Sequence, residues 1–134
     1  MLHIRFDCTI PRHDLRYRGI ERVALLIGEK TDDGYTVRHT VMVPNRHKMR
    51  AGRFAATMND AEYLLGSMVA DMIGAIHSHP HGDMSASAAD LAEIGPGYIG
   101  GVFCDGSVTA WYMQNRPLHH VRVSYRGAEW AVAV

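Results

Sequence analysis

The chain has 134 residues, 47% of them hydrophobic and 21% charged, which suits one globular domain over 1–134 and excludes a disordered chain. Fourteen basic and fourteen acidic residues cancel, so bulk charge gives no reason to expect nucleic acid or anionic lipid as a partner. No apolar run nears the roughly 20 residues of a membrane span, the start is no signal peptide, and two cysteines, Cys8 and Cys104, are too few for a disulfide scaffold; the expectation is a cytoplasmic protein with reduced thiols.

Leu2, Ile4, Phe6, Cys8 and Ile10 alternate with polar residues, the period of a half-buried strand, until Pro11 breaks it. Residues 11–19 are polar and support at best a helical turn or two. Residues 23–27, Val-Ala-Leu-Leu-Ile, form a continuous apolar run closed by Gly28, which suits a strand covered on both faces. Asp33-Gly34 is a tight-turn signal, and 35–43 reads as the returning strand of a hairpin. Residues 44–53 form a loop with Arg46, His47, Lys48, Arg50 and Arg53 and no acid among them, a candidate rim for steering a carboxylate-bearing partner.

Asn59 or Asp60 can cap a helix running to about Met72, with Tyr63, Leu64 and Met68 on its apolar face. Residues 73–76 lead as a strand into His77-Ser78-His79-Pro80. A second helix over 87–94 is stopped by Gly95-Pro96-Gly97. Residues 98–104, 107–113 and 118–125 read as three strands, the first two joined at Asp105-Gly106. Interleaved helices and strands predict an α/β domain with a mixed sheet flanked by helices.

The chemistry concentrates between residues 77 and 90. Residues two apart on a strand point the same way, so His77 and His79 present two imidazoles to one side. Imidazole is a common zinc ligand, and Asp90 can add an oxygen from the first turn of the following helix. Three protein ligands leave a fourth position for water, whose pKa a zinc ion lowers toward about 7. Taken singly, Ser87 and Asp90 also read as a helix cap, and a His-x-His as surface. His81 continues the spacing, but Pro80 and Gly82 flank it, which favours a rim position. His119 and His120 are adjacent and face opposite sides of a strand. Trp111 and Trp130 read as core or interface residues, and Cys104 as a buried thiol.

Together, His77-x-His79-Pro80 followed by Ser87-x-x-Asp90 resembles the signature of the JAMM (JAB/MPN) zinc metalloprotease family. Upstream, Glu21-Arg22-Val23-Ala24-Leu25-Leu26-Ile27-Gly28 is similar to the family's Glu-x-x-Gly-x-x-x-Gly strand, with Ala24 in place of the first glycine. The likeness covers roughly residues 20–115. It implies a three-layer sandwich, with a curved mixed sheet between helices in a cytidine-deaminase-like architecture. It also implies one catalytic Zn2+ held by His77, His79 and Asp90. In that scheme Glu21 is the general acid and base, and Ser87 hydrogen-bonds the oxyanion. The implied activity is hydrolysis of an amide or isopeptide bond at the C-terminal tail of a ubiquitin-like protein. The same chemistry on a sulfur-carrier adduct or on a phage-tail or cell-wall peptide is the alternative, and a non-catalytic MPN-type scaffold a third. Glu29, at the far end of the same strand, is expected to face solvent.

Overall fold

The computed structural model of the protein describes residues 2–16, 21–43, 65–79 and 84–130. Within them nine strands form one sheet: β1 (Leu2–Phe6), β2 (Val23–Thr31), β3 (Gly34–Val43), β4 (Met72–Ser78), β5 (Ile99–Cys104), β6 (Ser107–Met113), β7 (Arg116–Leu118), β8 (Val121–Tyr125) and β9 (Ala128–Trp130). Their spatial order is β7-β6-β5-β4-β2-β3-β1-β8-β9. β1 runs parallel to β3 and β8, and β4 parallel to β5; the other neighbours are antiparallel. The helical elements described are α1 (Arg12–Leu15), a 3-10 helix (Gly66–Asp71) and α2 (Ala88–Glu93), and Leu65, just before the 3-10 helix, is also helical.

The protein is therefore mostly β, and the three-layer α/β sandwich expected from the sequence does not form. The described α-helices, of four and six residues, cannot cover both faces of a nine-stranded sheet. The sheet curls and covers itself instead. β1 and β6 stand five places apart in the strand order, about 24 Å if the sheet were flat. Yet the Phe6 and Trp111 rings approach to 6.1 Å between centroids. Ile4, Phe6, Leu26, Ile76, Phe103 and Trp111 fill the interior of that nearly closed, barrel-like curl. A second apolar cluster, Val23, Leu25, Ile27, Val43 and Leu65, lies apart from it. The split follows the alternation of β2: Ala24 and Leu26 point into the curl, and Val23, Leu25 and Ile27 point out. This explains the unbroken apolar run of β2, which is covered on both faces.

Several boundaries differ from the expected ones. β1 ends at Phe6 rather than Ile10, although Ile10 still packs into the core. β2 does not stop at Gly28 but continues to Thr31 across an irregularity of register at Ile27/Gly28. A Cβ at Gly28 would lie 1.9 Å from the Thr36 carbonyl oxygen, so the glycine serves a close backbone approach and not a chain stop. The single strand expected over 118–125 is divided into β7 and β8, with His120 at φ 60° between them. The missed strand β9 returns through Arg126 and Gly127, whose consecutive positive φ values of 50° and 83° make a tight hairpin turn. The helix expected from Asn59 or Asp60 lies mostly outside the described residues. Its described end is Leu65, in α-helix, followed by the 3-10 helix, and Met72 already begins β4. The basic segment 44–53 also lies outside the described residues. No described helix is long and apolar enough to cross a membrane.

Candidate metal centre

The register of β2 against β4 sets the site. Val23 pairs with His77 in antiparallel sense, and the same register carried one step further sets Arg22 opposite Ser78. Two hydrogen bonds hold that step: Ser78 N–H donates to the Arg22 carbonyl at 2.9 Å, and Arg22 N–H donates to Ser78 Oγ at 2.8 Å. One residue beyond, Glu21 comes opposite His79. Opposed residues share a face, so Glu21, His77 and His79 gather outside the curl, beyond Val23. His79 has left the strand, but its N–H donates to the Phe103 carbonyl at 3.0 Å and keeps that end of β4 on β5.

The fourth member arrives on α2 through its cap. Asp90 N–H donates to Ser87 Oγ at 3.1 Å, and Ser87 N–H donates to Asp90 Oδ2 at 2.8 Å, the reciprocal pair of a capping box. The cap fixes the Asp90 carboxylate against the histidines. His77 Nε2 lies 3.1 Å from Asp90 Oδ1 and His79 Nε2 lies 3.2 Å from Asp90 Oδ2. The two Nε2 atoms are 2.9 Å apart, and Glu21 Oε1 is 3.9 Å from His79 Nε2. Glu21, His77 and Asp90 are buried.

Glu21, His77 and His79 form a group that could hold a metal ion. The shorter approaches are those of Asp90, so two carboxylates flank one imidazole pair and either completes a nitrogen–nitrogen–oxygen set. Ligand bonds of about 2.0–2.1 Å at tetrahedral angles place donor atoms about 3.3 Å apart. The separations among His77, His79 and Asp90 lie close to that figure. Two imidazole nitrogens 2.9 Å apart repel through their lone pairs unless a proton or cation lies between them.

The two carboxylates are driven in opposite directions. Burial pushes the Asp90 carboxyl up, but hydrogen bonds from His77 and His79, the charge of His77 and the Ser87 backbone N–H together hold it well below the usual carboxylate range. Burial pushes the Glu21 carboxyl up; the charges of His77 and His79 oppose this, Asp90 and Glu93 add to it, and the net shift is upward. One carboxylate thus stays ionised as a fixed acceptor, and the other is readier to take up a proton.

The structure brings together Glu21, His77, His79, Ser87 and Asp90, all named from the sequence. His81 and Pro80 lie outside the described residues. His119 and His120 are exposed at the junction of β7 and β8. Trp111 and Cys104 are buried, and Glu29 is exposed and paired with Arg38 at 2.6 Å. Sequence reasoning missed two residues. Ser78, which clamps Arg22, was visible between the two histidines as a small polar residue with an unassigned role. Tyr112 Oη lies 3.4 Å from His77 Nδ1, and its ring meets the imidazole edge-on at 77°, with centroids 6.3 Å apart. Only knowledge of the β4-β5-β6 register could have found it.

No family model and no curated protein matches the chain. Among solved structures, it is similar to a protein of Desulfitobacterium hafniense known from its solution structure, with TM-score 0.70 and 15% identity over 91% of this chain and 92% of that one. It is also similar to a protein of Salinibacter ruber, again from a solution structure, with TM-score 0.45 and 21% identity over 98% of this chain and 78% of that one. The first likeness concerns the fold alone.

Proposed function

We propose that the protein is a zinc-dependent hydrolase of amide bonds in which His77, His79 and Asp90 hold the ion. The observation that carries this reading is the division of Asp90: each of its oxygens faces a different histidine Nε2, at 3.1 and 3.2 Å. In this reading Glu21, 3.9 Å from His79, stands beside the ion and Asp90 takes the ligand position. A bound zinc ion supplies Lewis acidity and lowers the pKa of a coordinated water toward about 7.

This chain's own residues then supply the proton handling. Glu21, with its proton affinity raised by burial, accepts a proton from water and returns it to the leaving amine, a role that needs a carboxyl titrating nearer neutrality. Ser87 Oγ accepts the Asp90 N–H, and its hydroxyl proton stays available to donate to a developing oxyanion. The His-x-His-Pro and Ser-x-x-Asp string, which resembles the JAMM metalloproteases, supports a peptide substrate such as the C-terminal tail of a ubiquitin-like protein.

Elemental analysis of the purified chain tests the reading. One zinc per chain is expected, lost in His77→Ala and Asp90→Ala and kept in Glu21→Ala. Unchanged zinc in the first two variants would overturn it. Loss in Glu21→Ala with retention in Asp90→Ala would assign the ion to the other carboxylate.

A further inference from the structure

We propose that Tyr112 is a positioning residue for this metal centre, its phenol oxygen holding the Nδ1 side of His77 so that Nε2 points into the cluster, and that Gly100 provides the space its ring occupies. The inference rests on the metal-binding reading above. Tyr112 on β6 pairs with Gly100 on β5, and Gly100 pairs with Ala75 on β4. Tyr112 therefore starts in the row of Ala75, two residues before His77 and on the same face of the sheet. To reach His77 its ring must lean diagonally across β5, and a side chain at position 100 would stand in the way. A Cβ there would lie 2.3 Å from Tyr112 Cζ and 2.7 Å from its Oη.

The chemistry suits the contact. An imidazole that binds a metal through Nε2 carries its proton on Nδ1, and an oxygen that accepts from that N–H fixes both tautomer and ring orientation. Tyr112 Oη lies on the Nδ1 side. With Tyr112 and His77 both buried, water is poorly placed to substitute for the hydroxyl.

The test measures Zn2+ affinity of the full chain by chelator competition, together with the visible ligand-field spectrum of the Co2+-loaded protein. Tyr112→Phe keeps the ring and removes the oxygen. It should weaken Zn2+ binding roughly 10–100-fold, shift the Co2+ bands and leave the circular dichroism of the metal-free chain unchanged. Gly100→Ala keeps the oxygen and displaces the ring. It should weaken binding by a similar factor, and add nothing in the Tyr112→Phe background. Wild-type affinity and an unshifted Co2+ spectrum in Tyr112→Phe would overturn the proposal, as would wild-type affinity in Gly100→Ala should the phenylalanine variant not fold. A wild-type chain that binds no Zn2+ would instead overturn the metal centre itself, and the role of Tyr112 with it.

Discussion

Ser78 and Arg22 are joined by two hydrogen bonds of 2.8 and 2.9 Å, and this pair sets Glu21 opposite His79. Ser78 is buried, so removing its hydroxyl leaves the Arg22 N–H without its acceptor, at a cost of about 1–3 kcal/mol. Ser78→Ala should lower stability by that amount in urea unfolding and retain its zinc, because neither histidine ligand is touched. An unchanged unfolding midpoint would show that the clamp is replaced by solvent without loss.

Glu21→Gln separates metal binding from proton transfer. The amide keeps the shape of the side chain but cannot take up a proton at neutral pH. Zinc content should stay at the wild-type level, and hydrolysis of a susceptible amide should fall on the order of 10²–10⁴-fold. Wild-type turnover in this variant would remove Glu21 from the proposed mechanism.

The parts of the fold that were legible were those written in side-chain alternation. The two-faced burial of β2 could be read from its unbroken apolar run, and the capping of α2 from Ser87-x-x-Asp90. The architecture is not legible in the same way, because interleaved helix and strand signals do not report curvature. Whether a sheet is covered by helices or by itself depends on contacts such as Phe6 against Trp111, 105 residues apart in the chain. Gly28 is ambiguous in the sequence because the same residue type serves chain reversal and close approach, and only the position of the Thr36 carbonyl distinguishes them. Within the candidate site, residues carried by local spacing were visible, whereas Tyr112 was not. Its relation to His77 passes through two strand pairings.

Gly28→Ala tests the close approach directly. The added methyl would meet backbone, at 1.9 Å from the Thr36 oxygen, and backbone cannot swing aside as a side-chain tip can. The β2–β3 pairing must part locally, so destabilisation of about 1–3 kcal/mol or more is expected. Thermal unfolding of the variant beside wild type measures it. A midpoint equal to wild type would mean that the strand pair separates without cost at this point.

The turn between β2 and β3, at the end of β2 away from the candidate site, makes a pH-dependent contribution. Asp33 accepts from Arg5 through both oxygens, at 2.9 and 2.6 Å, and from the Thr31 hydroxyl at 3.2 Å. The Arg5 hydrogen bonds, against a smaller opposing effect of burial, hold its carboxyl well below the usual carboxylate range. A carboxylate depressed in the folded state adds stability that is fully present above its unfolded pKa, about 3.9, and is lost as pH falls through the folded value. Asp33→Asn should therefore unfold at lower urea than wild type at pH 7, with the gap closing progressively below about pH 4. The pair is solvent-exposed, so the gap should be small and should narrow further in high salt. Urea midpoints of both proteins from pH 7 to pH 3, at low and high ionic strength, measure this. A gap independent of both pH and salt would show that Asp33 contributes through turn geometry and not through its charge.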